Sequence, residues 1–170
     1  MRARDLGLIA AAAALVLDQA TKLWILYGLG VVHMGPGQAV PVLPFFNLIM
    51  LWNPGISYGL FPASGPEGTA YLATFQLLAA GAMTAWLWFI HSPRVALALG
   101  LIIGGALGNF LDRLIYGAVA DFFHFYAFGI SFFVFNVADA AITFGIFAWL
   151  CDAFLTPGAS QSGFGKEGSR

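Results

Sequence analysis

Charge is what this sequence has least of. Its 170 residues include 7 Lys+Arg and 8 Asp+Glu, so 9% are charged while 60% are hydrophobic. A soluble domain carries about a quarter charged residues. So few leave too little polar surface to coat a soluble domain, and an integral membrane protein is expected. The net charge of −1 supplies no basic surface for nucleic acid. Cys151 is the single cysteine, which excludes an internal disulfide and any multi-cysteine metal site. Histidine is also sparse: His33, His91 and His124 are the 3 in the chain.

What is present is long apolar sequence. The length allows one domain. Spans are predicted at about 6–27, 69–90, 95–115 and 134–155. The basic start and first apolar run also have the form of a signal peptide, but three more spans follow and no small-x-small cleavage site ends the run. Residues 28–68 differ: they hold six of the 8 prolines and several short apolar runs. Strand-like pieces joined by turns are predicted there, on the outer membrane surface, since irregular backbone does not face lipid. Residues 116–131 form a second outer segment. The Gly- and Ser-rich tail, 156–170, is expected to be disordered. Four spans put both termini on one side together with Arg2, Arg4, Arg94, Lys166 and Arg170, so that side is expected to be cytoplasmic. Overall, the class expected is a mainly α membrane protein with four transmembrane helices and a small outer β-sheet.

The few polar groups are concentrated. Asp112, Arg113, Asp121 and Asp139 all lie between Gly104 and Asp139, with Asn109, His124 and Asn136 among them. Ionisable groups within apolar spans are costly and by default functional. At 1.5 Å rise per residue, Asp18, Asn109 and Asp139 lie about 18, 21 and 24 Å from the inner edge of their spans. Three helices thus offer polar groups at one level in the outer half of the bilayer, with Asp121 in the loop joining two of them. A simpler role is open to each residue singly: Asn136 as a helix cap with Asp139 in the first turn, and Asp112 and Arg113 marking the end of the third span. Asp18 and Asn109 lie too deep for this.

Two carboxylates sharing one site and one proton can run acid–base chemistry, one ionised and one neutral. Asp121 and Asp139 are the natural pair. A metal held by Asp121, His124 and Asp139 is a weaker reading, because His33 and His91 fall elsewhere. A Ser57–Lys22 nucleophile is weaker too, since Ser57 lies in turn-rich sequence. Cys151 is at the wrong depth and reads as a core residue.

Five ordered segments resemble the bacterial lipoprotein signal peptidases, or signal peptidase II: DQATK from Asp18, NPGISYGLF from Asn53, GGALGNFLDR from Gly104, GAVADF from Gly117 and FNVAD from Phe135. The resemblance covers about 6–155. It implies a membrane aspartic endopeptidase with Asp121 and Asp139 as its catalytic pair. Asp18, Lys22, Asn53, Gly59, Asn109, Asp112, Arg113 and Asn136 match binding or supporting positions. The implied substrate is a prolipoprotein with a diacylglyceryl-modified Cys, cut just before that Cys, with membrane lipid as the other partner. The resemblance also implies a small sheet from 28–68 on the membrane and a bacterial inner-membrane location. No cofactor or metal is expected, and a monomer is expected. Two other classes fit the polar groups: a small transporter or proton pathway, against which stands the sparse polarity (Gln76, Thr84) of the inner halves of the spans, and a non-catalytic assembly protein packed through Gly100, Gly104 and Gly108.

Overall fold

The computed structural model describes residues 1–55 and 65–155. Ser57, Gly59 and the tail lie outside the described residues. The fold class is as expected. Among the described residues, four helices are long and apolar enough to cross a membrane: α1 (Ala3–Leu23), α2 (Gly65–Trp86), α3 (Pro93–Tyr116) and α4 (Val137–Leu155). One antiparallel sheet accompanies them, in the order β1 (Val40–Leu43), β2 (Phe46–Asn53), β3 (Val119–Ala127) and β4 (Ile130–Phe135). Half of that sheet comes from the segment after α3, for which no strand was predicted. The run Val-Ala-Asp-Phe-Phe-His-Phe-Tyr-Ala is apolar at both parities, so it lacks the period of two that marks a half-buried strand.

Helix α3 is central and packs against α1, α2 and α4. Its start is set by Ser92, whose Oγ accepts the Val95 N–H at 3.4 Å, followed by Pro93 in the first turn. Its end is set by Gly117 at φ +74°, where the Gly117 N–H reaches the Arg113 carbonyl. Small residues allow close backbone approach, as lipid-embedded helices require. A Cβ on Gly104 would lie 2.7 Å from Ala14 Cβ and would strike the Ala11 carbonyl. On the neighbouring face, a Cβ on Gly105 would lie 2.8 Å from Ile142 of α4. Gly104→Ala is therefore expected to force α1 and α3 apart and to cost about 1–3 kcal/mol; thermal unfolding in detergent checks this, with a lowered midpoint expected.

The cytoplasmic-side ends predicted from charge carry an aromatic belt. Trp86 and Trp149 meet edge to face with ring centroids 6.0 Å apart, and the Arg4 guanidinium lies 5.6 Å from the Trp88 ring. At the other end, α1 continues through a π turn (Trp24–Gly28) and a short 3-10 turn (Val31–His33). Ile25 and Val31 from these turns pack on Leu48 of β2 and Phe122 of β3. This small core fixes the sheet over the helix ends, and so fixes the neighbour of Phe122 in sequence, Asp121.

Candidate functional site

Among the described residues, seven buried polar or charged ones gather where α1, α3, the start of β3 and the start of α4 meet: Asp18, Lys22, Asn109, Asp112, Arg113, Asp121 and Asn136. Asp139 adjoins them, half-buried. Buried ionic groups need partners, and the hydrogen bonds divide them into two layers.

The first layer is a salt-bridged clamp. Lys22 Nζ lies 2.8 Å from Asp18 Oδ2 and 2.8 Å from Asp112 Oδ2. Asp18 also accepts the Ala138 N–H of α4 at 2.8 Å. A carboxylate from α1 thus caps the positive end of α4. Asp112 accepts the Ala120 N–H at 3.1 Å, which ties the start of β3 to α3. Gly108 lets Asp18 come this close; a Cβ there would collide with the carboxylate. Gln19 joins the layer, its Nε2 donating to Asp18 Oδ2 at 3.0 Å and Asp112 Oδ1 at 3.2 Å. Sequence reasoning missed Gln19, although a polar neighbour of a deep aspartate was an available signal.

The second layer holds the two carboxylates of the expected pair. Asp121 accepts from Asn136 Nδ2 at 2.7 Å and from Asn53 Nδ2 at 3.0 Å, one donor to each oxygen. Asp139 accepts from Asn109 Nδ2 at 2.8 Å and from the Asn136 backbone N–H at 3.3 Å. The Asp139 N–H returns to Asn136 Oδ1 at 3.0 Å, a reciprocal box at the start of α4. The helix-cap role and membership of the polar cluster therefore coexist in Asn136 and Asp139. Asn109 joins the layers. Its Oδ1 accepts from Lys22 Nζ and from Asn136 Nδ2, each at 3.2 Å, so its amide nitrogen faces Asp139. Asn53 reaches Asp121 because two β2 residues oppose one β3 residue between Leu48 and Leu51, a bulge that re-aims the end of β2.

Every hydrogen bond described to Asp121 and Asp139 comes from a neutral amide. Lys22 is held by the other two aspartates, and Arg113 donates to the Gly55 carbonyl at 2.6 Å and to Gln76 Oε1 at 3.0 Å. Burial, followed by the charge of Asp139, pushes the Asp121 carboxyl up to about 7; the Asn53 and Asn136 hydrogen bonds oppose this only in part. Both carboxylates line a cavity of about 720 Å³ whose other walls are mainly apolar, including Leu51, Trp52, Phe132, Phe135 and Phe144. A carboxylate pair with no cation bonded to it among the described residues, at the wall of an apolar groove, can exchange protons with a water and a polar substrate group.

His124 stands apart from this cluster. Its Nε2 lies 2.8 Å from Ser131 Oγ, across the β3–β4 pair. Among the described residues, no group of three or more His, Cys, Asp or Glu could hold a metal. Gly59 and Ser57 fall outside the described residues.

Comparison with known proteins gives the arrangement its family. Residues 10–155 match the family model described as signal peptidase (SPase) II. The lipoprotein signal peptidase of Beijerinckia indica subsp. indica is 45% identical over 168 residues, covering 99% of each chain. That of Rhodopseudomonas palustris strain TIE-1 is 46% identical over 154 residues, 88% of this chain and 92% of its own. That of Methylobacterium sp. strain 4-46 is 49% identical over 146 residues, 86% of this chain and 87% of its own. A solved bacterial membrane enzyme, 25% identical, superposes with a TM-score of 0.74 over 95% of this chain and 94% of its own. Fold and family together define a multi-span membrane peptidase. The chain belongs to the signal peptidase II family.

Proposed function

We propose that the chain is an aspartic endopeptidase of the bacterial inner membrane. It removes the signal peptide from diacylglyceryl-modified prolipoproteins, cutting just before the lipidated Cys. The observation that carries this is the pair Asp121 and Asp139, held by neutral amides at the wall of an apolar groove. In the resting pair one proton is shared, because two neighbouring carboxylates largely withdrawn from solvent do not both ionise readily. The neutral member donates a hydrogen bond to the scissile carbonyl oxygen. The ionised member removes a proton from water, whose oxygen attacks the carbonyl carbon. The tetrahedral intermediate collapses as the C–N bond breaks, and the departing Cys nitrogen takes a proton from the pair. The pair titrates jointly.

The supporting roles follow from the contacts. Asn109 and Asn136 orient the two carboxylates and Asn53 holds Asp121. Arg113 fixes the backbone at Gly55, at the end of the described β2 segment. Asp18, Lys22 and Asp112 hold α1, α3, β3 and α4 in register. Gly59 belongs to the same loop element as Asn53 in sequence. Water is the nucleophile and no cofactor or metal takes part. The enzyme acts as a monomer, with both termini cytoplasmic and the site toward the outer face, where the lipid of the substrate is anchored.

The substrate assignment is tested with purified protein in lipid bilayers and a synthetic precursor, with and without the diacylglyceryl group. Mass spectrometry is expected to find one cut, N-terminal to the modified Cys, in the lipidated peptide only. Equal cleavage of both peptides would contradict the lipid requirement. A pH profile tests the mechanism. Asp121 lies near 7 rather than at its ordinary value of 3.8, so the singly protonated pair is lost as pH rises through about 7. At low pH the second carboxylate is protonated as well and the base is lost. Activity is expected to be bell-shaped, with its alkaline limb near pH 7; a flat profile from pH 5 to about 9 would contradict a shared proton. The same shift acts on stability. The folded state holds this proton more tightly than the unfolded one, so its stabilising contribution declines as pH rises from 3.8 to about 7.

A further inference from the structure

The β3–β4 hairpin carries a feature that cleavage chemistry does not use. Phe128, at its turn, has φ +54°, the one non-glycine positive φ among the described residues. Left-handed backbone is unfavourable for a side chain with a Cβ, and bulky residues are rare there. The adjacent Gly129 is also left-handed, at φ +76°. The same Phe128 ring is fully exposed, and Ile130 and Phe132 beside it are more than half or about half exposed. No Asp, Glu, Lys or Arg occurs from 122 to 138. Phe128 and Gly129 form the two-residue turn of the hairpin, which requires positive φ at both positions and ordinarily takes Asn or Gly first; a fully exposed phenylalanine there is not accounted for by the turn.

The surroundings identify what covers it. Ser131 and Phe132, three and four residues beyond the tip, share a cavity wall with Thr143 and Phe144 of α4. Those two residues lie in the second turn of a spanning helix, and Phe144 and Phe147 are exposed on its surface. That cavity is the groove that also holds Asp121 and Asp139, and it opens between the hairpin and α4, so the exposed apolar residues of the hairpin stand beside those of the helix. The tip is about 20 Å along β3 from Asp121.

We propose that Phe128 is a membrane anchor: it inserts into the outer leaflet and, through β3, fixes the height of Asp121 relative to the bilayer. The occupant is uncharged acyl chain and glycerol backbone, since the hairpin offers no cation for anionic headgroups. The lipid-insertion claim stands on geometry alone; its effect on cleavage rests on the peptidase reading.

The test uses full-length protein. In a Cys151→Ser background, Phe128→Cys is labelled with the environment-sensitive fluorophore NBD and placed in phosphatidylcholine–phosphatidylglycerol bilayers. Blue-shifted emission, quenched by lipids bearing a nitroxide high on the acyl chain, is expected. Water-like emission without quenching would overturn the proposal. Phe128→Gly separates anchoring from folding, because glycine suits φ +54° better than phenylalanine does. With unlabelled protein, Phe128→Gly is expected to keep or raise the thermal midpoint yet raise KM about 10-fold for precursor in bilayers. Its kcat, and its KM in detergent micelles, should be unchanged, and Phe128→Trp should restore KM in bilayers. An unchanged bilayer KM in Phe128→Gly overturns the anchor role. An embedded label on a protein that cuts no precursor supports insertion and sinks only the peptidase reading.

Discussion

Replacing Lys22 with Met is expected to destabilise the protein by about 3–5 kcal/mol, because it strands two buried carboxylates. Lys22 is almost wholly buried and sits between Asp18 and Asp112, each 2.8 Å from its ammonium. Methionine fills much of the same volume, so lost packing contributes little. The cost comes from Asp18 and Asp112, which remain out of water without a cation. Gln19, donating to both at 3.0 and 3.2 Å, is too weak a substitute. The damage should spread to three other elements, since Asp18 caps α4, Asp112 holds β3 and Lys22 orients Asn109. Thermal unfolding in detergent is expected to show a large fall in midpoint. Adding Asp112→Asn to Lys22→Met should recover part of it, a coupling that a double-mutant cycle measures. An unchanged midpoint in Lys22→Met would show that the clamp is not structural.

That Asp18, Asn109 and Asp139 belong to one cluster was legible in the sequence because helix rise is a constant. Counting residues put Asp18, Asn109 and Asp139 at one level, and in the structure Asn109 bonds Asp139 while Asp18 caps α4 one residue before it. The dual use of Asn136 was half legible: the cap was readable from its place before an apolar run, but the bond to Asp121 was not. That bond depends on how β3 is docked, and β3 itself escaped notice because it is apolar at both parities. Asn53 was legible through its motif alone. Its contact with Asp121 needs both the β2–β3 register and a bulge, neither of which local sequence encodes. Gln76 does not belong to the inner half of its span, where the sequence reading places it: it bonds Arg113 near the outer end of α3, a pairing that depends on helix-to-helix rotation, which packing sets and span length does not.

Asp121→Asn and Asp139→Asn are each expected to lower the cleavage rate by about 10³-fold or more, in keeping with the loss of general acid–base catalysis. Asparagine matches the shape of aspartate but cannot carry the exchanged proton. At Asp121 it can still accept a hydrogen bond through its oxygen, although its NH2 would face one of the two donors, Asn53 or Asn136. At Asp139 it can keep the Asn109 bond. Replacing one carboxyl by an amide leaves the site with the single negative charge that the proton-sharing pair already carries, so no new buried charge is left unpaired. The two variants should therefore be at least as stable as the parent while being inactive. That combination separates chemistry from architecture, and it is the reverse of what Lys22→Met should produce. A transporter using the same carboxylates would leave cleavage at zero in the parent too, and an assembly protein would lose stability in the variants.

The most direct test is a single-turnover measurement of lipidated-precursor cleavage by the parent, Asp121→Asn and Asp139→Asn proteins in the same bilayers, with thermal midpoints recorded on the same preparations. The expected result is a single cut by the parent, a rate about 10³-fold lower or undetectable in both variants, and midpoints equal to or above that of the parent. Parent-like cleavage by either folded variant would contradict the assignment of Asp121 and Asp139 as the residues that activate water.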